Sequence, residues 1–138
     1  MDLERYEEIL AECERLEGRA PNWFFFLARG EALMRLKRLD EAMGWFRKYE
    51  KEHPREPVVQ LRMADVHLLR GDIAKARKAC ERAEKFASSF AGSKNEASLL
   101  LTLAVLWRRT GDQAGMRRVM KKIRRLDPGL GEGVDPDE

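Results

Sequence analysis

Apolar side chains recur along this chain every three to four residues, in seven stretches separated by short polar breaks. The first runs over Leu3–Leu16, with Leu3, Tyr6, Ile9, Leu10, Cys13 and Leu16 on one stripe. Asp2 is its expected N-cap and Gly18 its stop. Asn22 is expected to cap a second helix, Trp23 to about Leu36. Asp40 is expected to cap a third, to about Glu52, before Pro54. Pro57 suits the first turn of a fourth, ending at Gly71. Asp72 caps a fifth, to about Phe86, and "ASSFAGSKN" reads as a loop. A sixth spans Glu96 to Arg109. Gly111 and Asp112 turn the chain into a seventh, which stops before Asp127-Pro128. The last stretch, "GLGEGVDPDE", has too few apolar residues to pack and is expected to be disordered. The reading is all-α: one helical domain over 1–128 and an acidic tail over 129–138.

The helices are similar in length, so internal repetition is the next thing to look for. "RLDEAMGWFRKYEKEHP", "RGDIAKARKACERAEKF" and "TGDQAGMRRVMKKIRRLDP" align as second members of a repeated helix pair. "ERYEEILAECERLEGRAP" fits the same template without a first member, which suggests a piece of a longer repeat protein. The expected caps Asp40, Asp72 and Asp112 are unevenly spaced, with the longer step between the second and the third. The segment Ser88–Asn95 accounts for part of that longer step. Matched as whole patterns, the first two full repeats lie about 34 residues apart.

One set of positions recurs in each unit. It is Phe26, Gly30, Leu33, Leu39, Ala42, Phe46 and Pro54 in the first, and Ala64, Gly71, Ile73, Ala76 and Ala83 in the second. In the third it is Leu103, Ala104, Trp107, Gly111 and Pro128. This pattern, over about Tyr6 to Pro128, resembles the tetratricopeptide-repeat family, with about three and a half repeats. Departures are Lys37 at the turn glycine, Tyr49 at an alanine and Met116 at an alanine. The small residues Gly30, Ala64 and Ala104 sit where helices cross closely, and larger side chains would separate them.

The resemblance implies a right-handed α-solenoid of antiparallel helix pairs whose first helices line a concave groove for a partner peptide. Carried over by position, the groove holds Phe24, Leu27, Glu31, Met34 and Arg35 from the first repeat. The second supplies Val58, Leu61, Asp65, Leu68 and Leu69, and the third Ser98, Leu101, Val105, Arg108 and Arg109. That lining suits a protein or peptide segment with apolar side chains. Arg35, Arg108 and Arg109 would position an acidic group on it. Of the aromatic run Trp23–Phe26, Phe24 is the first candidate for a groove anchor and the others are candidates for the core. Some family members clamp a terminal carboxylate with paired Lys and Asn. The matching positions here hold Leu27, Glu31 and Arg62, so clamp-type binding is not expected.

Composition sharpens this picture. Charged residues make up 37% of the chain, so much of the surface is ionic, yet the net charge is only +3. The ions are segregated. Residues 1–18 hold seven acids and two arginines, whereas residues 108–125 hold eight Lys/Arg and one Asp. Arg117, Arg118, Lys121, Lys122, Arg124 and Arg125 fall on the polar faces of the last helix, around the stripe Met116, Val119, Met120, Ile123 and Leu126. They form a basic end face opposite an acidic first helix. A second copy stacking head to tail is therefore a second expectation. Nucleic acid is a weaker one, because the basic face lacks interleaved aromatics.

The chain shows no nucleophile motif, phosphate loop or Cys/His metal cluster, so neither enzyme activity nor a cofactor or metal is expected. Cys13 and Cys80 both read as small core residues. The chain contains no leader-like segment and no stretch suited to a membrane span, and a cytoplasmic location is expected.

Overall fold

A computed structural model describes residues 3–19, 22–90, 92–93 and 95–126, with the backbone alone for 22–25. The expected cap Asp2, the side chains of Asn22 and Phe24, and the tail from 127 lie outside the described residues. The elements are α1 (Leu3–Arg15), α2 (Asn22–Arg35), α3 (Leu39–Glu52), α4 (Pro57–Leu69) and α5 (Ile73–Ala87). A 3-10 turn (Ser88–Phe90), α6 (Glu96–Arg109) and α7 (Gln113–Leu126) follow. There is no strand among the described residues, and no helix there is long and apolar enough to cross a membrane.

Backbone contacts gather the chain into two compact units, 1–55 and 56–138, which are described separately. The boundary falls between the first and second full repeats of the sequence pattern. In the first unit α2 packs against both α1 and α3. Phe26 on α2 is buried, with its ring 5.1 Å from Trp45 and edge-on to Tyr49 at 5.6 Å. Arg29 lies 3.9 Å above the Trp45 ring and within 3.6 to 3.8 Å of Glu17 and Glu14, so it links all three elements. In the second unit α4 packs on α5 and α6 on α7, with further contacts from α6 to α5 and α4. α4 and α6, with apolar residues nearly all round, each pack against more than one neighbouring helix.

The helix starts expose a misplaced cap. Asp40 does not cap α3: the N-cap is Arg38, without a side-chain cap bond, and Asp40 already lies inside the first turn. Arg38 instead binds Glu41 through two hydrogen bonds, 2.7 and 3.0 Å. By contrast Asp72 accepts from the Lys75 amide, and Asp112 accepts from the Gly115 amide at 2.8 Å. Arg38 is thus the counterpart of Asp72 and Asp112. The first step of the repeat runs from 38 to 72 and the second, still the longer, from 72 to 112.

The same two steps recur throughout. Amides 38, 72 and 112 each bond back to the carbonyl five residues earlier, at Leu33, His67 and Trp107. Residues 37, 71 and 111 close each turn with φ of 64°, 78° and 84°. Phe46, Cys80 and Met120 are fully buried, as are Ala42 and Ala76, with Met116 nearly so. Each core layer thus repeats at one register, and most of the extra residues of the second step lie between α5 and α6. Lys37 occupies a left-handed position where its counterparts are glycines. Lys37→Gly should therefore stabilise the α2–α3 turn by about 0.5–1 kcal/mol. Chemical denaturation should show a higher midpoint at unchanged slope.

Candidate functional site

Pro57 at the first position of α4 and the Glu56 carboxylate, which accepts from the Val58 amide at 3.3 Å, set where α4 begins. This register directs Leu61 into the core and leaves Val58, Arg62 and Asp65 along the side that faces α6. Ser98, Leu99 and Thr102 of α6 line the opposite wall. Between the walls is an open pocket of about 290 Å³, lined also by Phe90 and Asn95.

The sequence does not foretell Phe90 in this role, because its segment reads as a polar loop. The structure gives the reason for its position. Ser88 and Ser89 donate their hydroxyls back to the carbonyls of Lys85 and Phe86, at 2.9 and 2.7 Å. Those bonds tighten the end of α5 into a 3-10 turn, and Phe90 packs half-buried against the core of the second unit. The Glu96 carboxylate accepts from the Gly92 amide and holds the segment from its far side. An isolated aromatic among serines and glycines is the available signal.

The groove residues named from the sequence fall into three kinds. Met34 and Leu61 are buried, 5% and 4% exposed, so they can form only a floor. Leu27, Leu68 and Leu101 are half-buried, and the last two pack onto the second unit's core. Leu69 and Val105 are open to solvent, 43% and 51% exposed. Of the ions, Arg109 is engaged by Asp65 at 2.7 Å, a contact between α6 and α4. Arg35 pairs with Glu31 at 3.7 Å along one helix. Arg108 is exposed. The structure therefore brings Leu61 and Asp65 together at the pocket, whereas Arg109 is already engaged by a neighbouring carboxylate.

The basic end helix is also divided. On α7, Met116, Val119, Met120 and Ile123 are buried as expected. Arg118 turns from the surface to grip Glu84 of α5 with two bonds, 2.8 and 3.0 Å, and Lys122 approaches the same carboxylate at 3.6 Å. Glu84 also accepts from the Trp107 indole at 3.0 Å. Burial alone would push the Glu84 carboxyl up. The hydrogen bonds from Arg118 and Trp107, with the charges of Arg118 and Lys122, outweigh it and hold the carboxyl below its usual value. So Arg118 and Lys122 belong to the fold, and Arg117, Lys121, Arg124 and Arg125 remain on the exposed side.

Compared with known proteins, the chain matches no family model and no curated sequence.

The cysteines sit in the cores of the two units. Burial pushes the Cys80 thiol up to about 12, with help from surrounding carboxylates, and burial raises Cys13 as well. Both therefore stay protonated near neutral pH. Among the described residues no group of His, Cys, Asp and Glu side chains could hold a metal ion.

Proposed function

We propose that this protein is a non-enzymatic interaction module that holds a segment of a partner protein, anchored by an apolar side chain in the α4–α6 pocket. On this reading the helices stack as antiparallel pairs in a right-handed solenoid of the tetratricopeptide-repeat kind. The recurrence of the turns at 37, 71 and 111, with the core layers in step, supports that architecture. The observation that carries the binding role is the pocket itself. It has apolar surface from Val58, Leu99 and Phe90, with polar groups of Arg62, Asp65 and Asn95 also in its lining. Such a site fits one bulky apolar side chain and supplies hydrogen-bonding groups to the backbone on either side of it. Exposed Leu69 and Val105 add apolar surface on the same two helices. α7 carries no aromatic residue on which a base could stack, so nucleic acid is not part of the proposal.

Selection from a random peptide library against the full chain should return sequences that share a Leu, Ile, Met or Phe anchor. Ser98 is exposed at the pocket wall. Ser98→Trp should fill the space and weaken those peptides at least ~10-fold, with helix content and unfolding midpoint unchanged. A selection that returns nothing, or peptides indifferent to Ser98→Trp, would remove this reading.

A further inference from the structure

Two polar side chains in the lining of the α4–α6 pocket are left unused by the fold. Asn95 is the N-cap of α6 and is of a residue type that commonly caps, yet it makes no side-chain cap bond. Its backbone, at φ −93° and ψ −4°, lies in the helical region and not in the extended one from which a cap reaches back to the first turn. Its side-chain amide, with two donor hydrogens and an acceptor oxygen, is exposed in the lining and has no partner among the described residues. Ser98 is in the same position. Thr102 donates its hydroxyl to the Ser98 carbonyl at 3.2 Å, but the Ser98 hydroxyl makes no bond among the described residues. Past the pocket, Leu101, Val105 and Arg108 follow one another along one face of α6, at spacings of four and three. Of the three arginines expected to position an acid, Arg35 is paired with Glu31 and Arg109 with Asp65. Arg108 is left, exposed and without an ion-pair partner among the described residues.

We infer that the pocket takes an acidic peptide segment in extended conformation, with its apolar anchor in the pocket, its backbone on Asn95 and Ser98, and a carboxylate on Arg108. This ligand class rests on the binding role proposed above. A helix spends its backbone N–H and C=O groups on itself, whereas an extended segment can offer them to the Asn95 amide and the Ser98 hydroxyl. The uncompensated charge of Arg108 selects an acid. Geometry then sets the spacing within the ligand. The α6 wall of the pocket is centred about eight residues before Arg108, or about 12 Å along the helix axis. An extended segment covers that distance in about four residues, a helical one in about eight. Exposed Val105 lies between the two points, where it meets the side chain two residues from the anchor, on the same side of an extended segment.

The test uses peptides selected from a random library against the full chain. Aligned on their anchor, they should carry Asp or Glu about four residues away. Arg108→Gln should weaken such a peptide about three- to fivefold. Replacing the peptide's acid with its amide should cost the wild type the same and the variant nothing further. About 0.5 M salt should erase this part of the affinity. Asn95→Ala should weaken every selected peptide about fivefold, at high salt as well as low. Both variants should keep the wild-type unfolding midpoint, because neither side chain is bonded among the described residues. Peptides that lose affinity on Ser98→Trp but carry their acid about eight residues from the anchor, or carry none, or ignore Asn95→Ala, would overturn this inference and leave the pocket reading standing. So would tighter binding when α-aminoisobutyric acid, a helix-favouring residue, is placed beside the anchor. A library that returns no peptide would remove both.

Discussion

Replacing Trp107 with alanine should cost the second unit about 3–5 kcal/mol, a large share of the stability of a small domain. The ring is 2% exposed and is held on three sides. Its indole N–H donates to Glu84, the Arg118 guanidinium lies 5.6 Å from the ring centre, and Gly115 of α7 lies close against the ring. A Cβ at Gly115 would come within 2.7 Å of Trp107 Cδ2 and 3.0 Å of Cγ. This contact makes a sharper test than the loss of stability alone. Gly115→Ala should destabilise the wild type, because the overpacking cost of about 1–3 kcal/mol exceeds the gain in helix propensity of about 1 kcal/mol. In a Trp107→Ala background the obstruction is gone, and the same change should become neutral or stabilising. Trp107→Phe should cost only about 1–2 kcal/mol, because the ring stays and the bond to Glu84 goes. Thermal unfolding of the four-member cycle measures the coupling directly. An equal cost of Gly115→Ala in both backgrounds would refute the packing argument.

Gly30→Ala should cost the first unit about 2 kcal/mol for the same physical reason. A Cβ there would collide with the ring edge of Phe46, at Cε1 and Cζ, and Phe46 is fully buried with no route of retreat. The counterparts of Gly30 are Ala64 and Ala104, and the counterparts of Phe46 are the smaller Cys80 and the flexible Met120. Size thus trades between the two helices of a pair, and the glycine marks the pair with the largest facing ring. Phe46→Leu should be destabilising in the wild type and should recover most of the loss in Gly30→Ala. Segment-resolved hydrogen exchange should place the Gly30→Ala effect in α2 and α3. A double variant as unstable as the sum of the two singles would mean that Phe46 is not what Gly30 makes room for.

The helices were legible because two local signals agreed: a stripe of apolar residues and a stop at each end. Gly71 and Gly111 were visible for their conformational freedom, and Asp72 and Asp112 for their short acceptor side chains. The first repeat lacks both signals at that turn. Lys37 stands where the glycine should be and Arg38 where the aspartate should be. Asp40, two residues on, therefore resembles a cap although the helix has already begun. Pocket residues on helices, such as Leu61 and Asp65, were among the positions that the family resemblance implied for a groove. Phe90 was not, because a 3-10 turn held by two serines has no period to read. Nor could spacing reveal that Arg118 and Lys122 share Glu84, which is 34 residues from Arg118 along the chain. Charge counted along one helix treats its cations as equivalent, and only the neighbouring helix separates them.

The second step of the repeat, from position 72 to position 112, is longer than the first, yet the buried layers on either side stay in phase. Most of the difference is taken up by the segment that carries Phe90 to the pocket. This wall can consequently change in length or content without shifting any layer of the core. On the binding role proposed above, partner preference and fold would then rest on different parts of the chain. Exchanging residues 88–95 for segments of other lengths should alter the pocket while the repeating core layers are left intact.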